Sequence, residues 1–466
     1  MMGGVALLFA CLFAAAGALY WLRRIEPVAA LLAAGLTAML ALGLWKLPLG
    51  VPLRLAGRPV LLSQHVVWED LSLQITPAAQ ALLVFLLSTG AVTFVLAWRT
   101  YQGRTFYPFG LMLLAFWAAA ALMEPLTWTP LAMAASAVVA AFLIQAGKAG
   151  KTRGAWRQLL FPTLAVPVFL VAGWYIDQGA LNPDNPTPYQ EAGWLLIVGF
   201  ILLLQPAPVH VAMPAVAEQA PPVVSAFLWI GHQATVLFLL QRFLVSYPWL
   251  AADIDSAQWL LWLGVLTALV GGILSAVQGT LGRFLGYASL YDYGVLLVAM
   301  GLRGTAGLPT VIWLLLTRSI ALLTLATGAA AVRHHMEGDG LEQIAGAASR
   351  LPWSVMALTV GGFALAGMPL TAQFASRWAV WQLVAENDPR WALLLLCGAC
   401  GVLIGTVRVG RACFGRLSGS PVEREPATLA LLALGLVLGN ALLGLFPQLL
   451  TEPVAAVILP LSTFGP

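Results

Sequence analysis

The chain has 466 residues, of which 61% are hydrophobic and only 9% are charged, and its formal net charge is +4. A soluble globular domain carries about 25% charged residues, so this composition excludes a soluble protein and indicates a polytopic membrane protein. The basic residues are almost all arginine and lie mainly in short loops. This distribution predicts a positive-inside orientation with the N-terminus outside, and it does not suggest nucleic-acid binding.

Apolar runs of roughly 17–25 residues are long enough to cross a bilayer as helices. The predicted fold class is therefore an all-α polytopic membrane protein with about 14 transmembrane helices. An apolar tail at residues 450–463 is predicted to lie on or in the membrane surface. The fourteen runs lie near residues 3–22, 27–46, 78–97, 107–123, 125–147, 158–175, 190–205, 222–242, 257–275, 285–301, 308–332, 352–386, 391–415 and 427–447.

Proline and glycine interrupt the apolar sequence at two places. Five prolines fall between positions 206 and 222, in "PAPVHVAMPAVAEQAPP", and "GGFALAGMPLTAQFASRW" stops a helix at Gly367-Met368-Pro369 shortly before Arg377. Broken helices at membrane depth are tolerated only where they are buried in protein or line a watery cavity. Both interruptions are therefore candidate functional sites.

Charged residues within the apolar runs need a reason, because each costs about 2.5–3.5 kcal/mol near the bilayer centre. Glu124 is predicted at the start of the fifth span, with Pro125 in its first turn, either as a simple capping carboxylate or as a functional one. Arg157 opens the sixth span and is interpreted as an interfacial anchor. Asp292 lies in mid-span, and Arg318 on the next helix is its natural partner. Such a pair is either structural or part of a polar path, and a structural role is favoured.

Two histidines accompany the first interruption. His210 lies within it and could cap or hydrogen-bond the freed backbone carbonyls. His232 lies on the following helix, where a hydrogen bond between helices is commoner than proton carrying. The sequence has no Walker loop, dinucleotide fingerprint, metal-spaced Cys/His set or nucleophile elbow. We therefore predict no cofactor and no metal site, and expect a protein that works with ions or as a membrane scaffold.

Four segments, taken in chain order, match the motifs of one family. "MEPLTWTPL" is similar to E-x-x-x-x-P-L, and "PVHVAMPAVAEQAPPVVSAFLWIGHQATVLFLLQR" is similar to P-F-H-x-W-x-P-D-x-x-x-x-A-P and the helix after it. "SAVQGTLGRFLGYASLYDYGVLL" is similar to A-x-x-Q-x-D-L-K-R-L-L-A-Y-S-S-I-x-H-x-G, and "FALAGMPLTAQFASRW" to L-S-L-A-G-I-P-x-T-x-G-F-x-G-K. Over roughly residues 78–420 the chain thus resembles the antiporter-like membrane subunits of complex I (NADH:quinone oxidoreductase), closest to the subunit whose helix reads A-F-L-x-x-x-x-K. Related subunits occur in Mrp-type cation/proton antiporters, membrane hydrogenases and inorganic-carbon uptake complexes.

The resemblance implies an architecture and a set of partners. Two inverted five-helix repeats, each with a broken helix, would occupy residues 107–245 and 257–415. N-terminal transmembrane helices would precede them in 1–106, and a C-terminal transmembrane helix and tail would follow in 416–466. The implied partners are other membrane subunits, the lipid bilayer, and protons or monovalent cations, in a cytoplasmic membrane of bacterial or archaeal type. The redox sites of such complexes belong to other subunits.

In this family, a glutamate and a series of lysines are thought to carry protons. Glu124 matches the family glutamate, and His210 matches the histidine of the broken helix. Arg157 falls where a lysine of the sixth span is usual, and Asp292 stands where the family has a histidine. These four positions keep polar chemistry, although two of them carry a different group.

The family's core lysines are replaced here by Leu203, Gln233 and Arg377. None of the three lysines of the chain lies inside a predicted span. Leucine and glutamine do not titrate and arginine is effectively always charged, so the usual lysine relay cannot operate.

Two interpretations of function follow. One is an ion-translocating subunit with a rewired path, in which Glu124, His210, His232 and Asp292 titrate, Gln233 holds water and Arg377 is a fixed counter-charge. The other is a structural or coupling subunit that keeps the antiporter fold without conducting. The replaced lysines favour the second interpretation, and an enzyme acting alone is much less compatible with the sequence. The host complex stays open among a quinone oxidoreductase, a hydrogenase, an Mrp-type antiporter and a carbon-uptake system.

Overall fold

The structure is a computed structural model that describes residues 2–46, 53–55, 58–61, 66–69, 71–100, 102–146, 152–182, 184–253, 255–302, 307–416, 423–452 and 454–455. Within these ranges the chain is mostly helical. The helices are α1 (Gly4–Leu22), α2 (Glu26–Lys46), α3 (Pro77–Ala97), α4 (Phe106–Leu122), α5 (Thr129–Gln145), α6 (Arg153–Leu181), α7 (Thr187–Leu204), α8 (Ala212–Gln219), α9 (Pro222–Ser246), α10 (Pro248–Asp253), α11 (Ser256–Val277), α12 (Leu281–Gly301), α13 (Gly307–His335), α14 (Pro352–Ala366), α15 (Phe374–Asn387), α16 (Pro389–Cys413) and α17 (Ala427–Leu445).

The described helices account for the predicted membrane-spanning character. Twelve helical segments in the described ranges are long and apolar enough to cross a membrane, and α4 and α14 are shorter apolar helices. The prediction of a polytopic helical membrane protein is confirmed, whereas the number of spans and the two inverted repeats stay predictions. The predicted apolar tail at 450–463 lies largely outside the described residues.

The part of the chain that the structure describes also contains six short strands, which were not predicted. They are β1 (Met2–Gly3), β2 (Leu53–Leu55), β3 (Arg58–Leu61), β4 (Val66–Trp68), β5 (Leu71–Leu73) and β6 (Met123–Glu124). One sheet has the order β1-β3-β2, and the other has the order β4-β5-β6 with antiparallel pairing throughout. The second sheet matters for the site because it ties the end of α4 to the segment before α3.

This sheet determines the position of Glu124. Glu124 belongs to β6, where it pairs with Ser72 of β5, and a short 3₁₀ turn at Leu126–Trp128 separates it from α5. Helix α5 begins only at Thr129. The prediction that Pro125 lies in the first helical turn is therefore wrong, whereas Glu124 does lie just before the candidate span Leu126–Gln145.

Two helices form the centre of the bundle. Of the residues in their spanning windows, 94% are buried in α9 and 89% in α12, compared with 22% in α6 and in α17. Small residues let the backbones of α11 and α12 approach closely, since a Cβ atom on Gly271 would lie 2.3 Å from the backbone nitrogen of Tyr291. Polar side chains on α9 and α12 are consequently shielded from the surroundings.

Both predicted interruptions are present as helix breaks. Helix α7 ends at Leu204, where Gln205 takes a left-handed conformation with φ of 51°, and α8 follows after seven residues that are not helical. Helix α14 ends at Ala366, Gly367 has a φ of 81°, and α15 begins at Phe374. A left-handed residue ends a helix by turning its next peptide out of the hydrogen-bond ladder.

Candidate functional site

The first break leaves backbone groups in the bundle interior without helical partners. The freed N–H of Ala207 donates a hydrogen bond of 2.9 Å to Oγ1 of Thr267 on α11. Thr267 is fully buried, so this hydroxyl replaces a lost helical acceptor where water would otherwise be needed.

Two of the predicted site residues serve the same break. Nη1 of Arg157 donates to the carbonyl oxygen of Val211 at 3.1 Å, so this residue supports the break as well as lying near the start of α6. Nε2 of His232 lies 3.1 Å from the carbonyl oxygen of Leu203 in the last turn of α7. The predicted hydrogen bond between helices at His232 is therefore present, and Arg157 and His232 hold the two sides of the break.

His210 lies inside the first break but does not cap it through Nδ1. Its half-buried ring packs near Tyr287, with ring centroids 6.4 Å apart. Nδ1 is buried and has no hydrogen-bond partner among the described residues. The His210 side chain does interact with the backbone of Pro208 inside the break, so the predicted contact with freed backbone groups is present, although Nδ1 is left without a partner in the described part of the chain.

Asp292 on α12 is held between two arginines. Arg318 on α13 donates from Nε to Oδ2 of Asp292, which is the pair that the sequence predicted. Arg377 on α15 donates from Nη2 to Oδ1 at 2.5 Å, and Gln373 donates from Nε2 to the same oxygen at 2.8 Å. One carboxylate therefore joins α12 to both α13 and the segment that follows the second break.

Two amides complete the arrangement. Nη2 of Arg318 donates to Oε1 of Gln233 on α9, and Nη2 of Arg377 donates to Oε1 of Gln373 at 3.0 Å. Charged partners make these hydrogen bonds stronger than neutral ones. We call the five residues the central cluster: Gln233, Asp292, Arg318, Gln373 and Arg377.

The central cluster is buried and carries excess positive charge. No member is more than 4% exposed. Two guanidinium groups face one carboxylate, which leaves one formal positive charge. The guanidinium carbon of Arg318 lies 5.9 Å from the ring centroid of Tyr293. That of Arg377 lies 5.0 Å from the ring centroid of Tyr291. At these distances the face of an aromatic ring stabilises a cation.

Local structure at the second break positions Arg377. A Cβ atom at Gly367 would lie 2.8 Å from Cγ of Arg377, so glycine is required here both for its positive φ and for space. Oγ1 of Thr317 on α13 lies 3.0 Å from Oγ of Ser376, which fixes the first turn of α15 against α13. The break thereby places a guanidinium beside Asp292.

Glu124 is not part of the central cluster. Its carboxylate oxygen Oε1 accepts a hydrogen bond from Nη2 of Arg242 near the end of α9. Nη1 of Arg242 also donates to the carbonyl oxygen of Ala121 at 2.7 Å. Within the described residues, the side-chain contact of Glu124 is with Arg242 and not with the first break.

Sequence reasoning missed two functional side chains, Gln373 and Arg242. Gln373 precedes Arg377 by one helical turn directly after a helix break, which is a usable signal. Arg242 lies four residues from the end of α9, where an interfacial arginine is the ordinary interpretation. The described residues contain no group of three or more His, Cys, Asp or Glu side chains that could hold a metal ion.

Comparison with known proteins finds a family similar to part of the chain. Residues 187–405, which contain both breaks and the whole central cluster, match the family described as NADH:quinone oxidoreductase/Mrp antiporter, TM. Over this segment, the chain is similar to that family. The resemblance found in the sequence is thus confirmed.

Curated relatives support the same assignment. A NADH-quinone oxidoreductase subunit N from Methylococcus capsulatus is 33% identical over 291 residues, covering 59% of this chain and 57% of the relative. The chain spans about half the length of the curated relatives that it matches.

Solved structures share the fold over nearly the whole chain. A chain of the Mrp complex from Dietzia sp. DQ12-45-1b has a TM-score of 0.81 at 16% identity, covering 97% of this chain and 96% of that one. A chain of respiratory complex I from Thermus thermophilus with bound NADH has a TM-score of 0.76 at 18% identity, covering 99% and 100%. At these identities the likeness concerns the fold alone.

Proposed function

We propose that the chain is an antiporter-like membrane-arm subunit of a complex I-like assembly, with a structural and coupling role and no proton conduction along its own central axis. One observation carries the proposal: Asp292 is clamped between Arg318 and Arg377 where the family resemblance leads us to expect titrating groups. The names of the curated relatives favour an NADH-quinone oxidoreductase as host.

The chemistry of the central cluster opposes proton relay. A relay requires side chains that gain and lose a proton in turn, which lysine does when neighbouring charge changes, whereas arginine keeps its proton. Protonating Asp292 would leave two buried guanidinium groups without a counter-charge, which is strongly unfavourable. A fixed positive charge in a buried site also repels protons and other cations.

The same cluster suits a coupling role. It connects α9, α12, α13 and α15 through charge-assisted hydrogen bonds. A displacement of any one of these helices would strain the bonds to the others, so motion imposed by a neighbouring subunit would be transmitted across the bundle. This role requires rigid contacts and no net ion movement.

A rewired proton path is the second candidate, and one observation favours it. Nη1 of Arg318, Nε and Nη1 of Arg377, and Nδ1 of His210 are buried without partners among the described residues. Buried polar atoms of this kind are commonly satisfied by ordered water, and a water chain could bypass the missing lysines.

Assembly is tested by tagging the chain at its chromosomal locus and purifying it in mild detergent. We expect it to copurify with other antiporter-like subunits and with a redox module that oxidises NADH. Recovery of the chain alone, or with cation/proton antiporter subunits and no redox module, would contradict the proposed host.

A further inference from the structure

An apolar groove runs along the outside of the bundle between α3, α9 and α13. Its volume is about 300 Å³. Its polar lining lies at one end, where the last turns of α9 come close to the start of α3. The polar lining residues are Thr76, Glu124, Gln241, Arg242 and Ser246. The rest of the lining is apolar, including Leu82, Phe85, Leu237, Phe238 and Ile312. The groove is therefore amphipathic along its length.

The dimensions of the groove match one leaflet of a bilayer. Its walls run from Ala234 to Ser246 on α9 and from Leu308 to Leu316 on α13. At a rise of about 1.5 Å per residue, these walls are about 18 Å and about 12 Å long, and half of the roughly 30 Å hydrocarbon core is about 15 Å. Its polar end thus lies at headgroup level if its apolar end lies near the bilayer centre.

The polar end carries a matched pair of charges. The Arg242 side chain is 15% exposed and the Glu124 side chain is 44% exposed, so the ion pair is open to a ligand in the groove. Oε1 of Glu124 is used by Arg242, while Oε2 makes no hydrogen bond within the described part of the chain. Nε of Arg242 likewise makes none there, because its described bonds use Nη1 and Nη2.

We propose that this groove binds a phospholipid with a primary ammonium headgroup, such as phosphatidylethanolamine. The phosphate would accept from Nε of Arg242, and the ammonium would donate to Oε2 of Glu124. An acyl chain would fill the apolar part, since about 300 Å³ holds roughly ten groups of the size of a water molecule. An anionic headgroup is a poorer match because it brings an unpaired negative charge beside Glu124, and a quaternary ammonium cannot donate a hydrogen bond to it.

Native mass spectrometry of the delipidated, purified chain tests the proposal. The probe is an equimolar mixture of phosphatidylethanolamine, phosphatidylcholine and phosphatidylglycerol with identical acyl chains. We expect phosphatidylethanolamine to be retained at least five-fold over each of the others. Equal retention of the three lipids, or a preference for phosphatidylglycerol, would overturn the proposal.

Variants locate the retained lipid. Ala81→Phe on α3 and Ile312→Phe on α13 fill the groove from opposite walls, and each should lower retention at least five-fold. Ala18→Phe on the exposed face of α1 is the matched control and should retain lipid like the parent. Glu124→Gln should lower the preference for phosphatidylethanolamine over phosphatidylcholine without abolishing retention.

Thermal melting in lipid-free detergent identifies any variant that has unfolded. Retention unchanged by both groove-filling variants would place the lipid elsewhere and refute the site.

Discussion

Asp292 on α12 meets Arg377 in the first turn after the second helix break, with Nη2 of the arginine 2.5 Å from Oδ1 of the carboxylate. The contact joins residues that are 85 positions apart in the sequence and lies beside the ion pair between Asp292 and Arg318. It gives the broken helix a fixed electrostatic anchor.

Asp292→Asn should destabilise the protein severely. Removing one partner of a buried ion pair costs about 3–5 kcal/mol, because the remaining charge has no compensation. Thermal melting in detergent measures the loss, and the double variant Asp292→Asn/Arg377→Gln should recover part of it. The control is Arg283→Gln, which breaks a pair with Glu218 in which the arginine side chain is 51% exposed and should cost less than about 1 kcal/mol. Equal losses in the two single variants would contradict the anchor.

Gly367→Ala should disturb the second break. The added methyl group would lie 2.8 Å from Cγ of Arg377 and would sit on a residue with a φ of 81°, so we expect a loss of at least about 1 kcal/mol. Gly435→Ala on α17 is the matched control, since a Cβ there meets nothing within 4 Å and alanine favours a helix. Melting temperatures of the two variants should move in opposite directions, and a shared direction would refute the explanation.

Thr267→Val should destabilise the first break. The substitution leaves the buried N–H of Ala207 without an acceptor, which costs about 1–3 kcal/mol. Thr235→Val removes an equally buried hydroxyl whose bond goes only to Gly231 within its own helix, so its effect should be clearly smaller. Melting temperatures of both variants, measured side by side, test the difference. Indistinguishable losses would mean that Thr267 does not support the break.

Asp339 should make stability depend on pH. It lies in the loop after α13, and burial raises its pKa above the ordinary value of 3.8, with the Arg333 guanidinium acting in the opposite direction. As pH rises from 3.8 towards the raised pKa, the folded protein holds a proton that the unfolded chain has released, so the stability contributed by this group falls. The Asp339→Asn variant lacks this contribution. As pH rises through this range, the melting temperature of the variant should therefore increase relative to that of the parent. A constant or falling difference would contradict the prediction.

Several features of the site could be predicted because they follow from local sequence. The two helix breaks come from proline and glycine within apolar runs, and both lie where expected. The pair between Asp292 and Arg318 follows from isolated opposite charges on consecutive spans, since each is costly to bury alone.

Other features depend on packing that apolar run lengths do not record. The arrangement of α12 against α15 places a second guanidinium, that of Arg377, beside Asp292. Because the sequence does not show this arrangement, Arg377 was not predicted as a partner of Asp292. Glu124 was predicted at the start of a helix because its neighbours are apolar, while strand pairing with Ser72, 52 positions upstream, decides its place. Gln373 and Arg242 were missed for the same reason, since their partners lie on other helices.

Proton flux through the isolated chain remains the decisive measurement. The purified, folded protein would be placed in liposomes with an internal pH dye, and a potassium-diffusion potential would be imposed, with Glu124→Gln beside the parent. If the central cluster blocks conduction, parent and variant should show no flux above that of empty liposomes. Potential-driven flux in the parent that disappears in Glu124→Gln would contradict the non-conducting role and establish a rewired path.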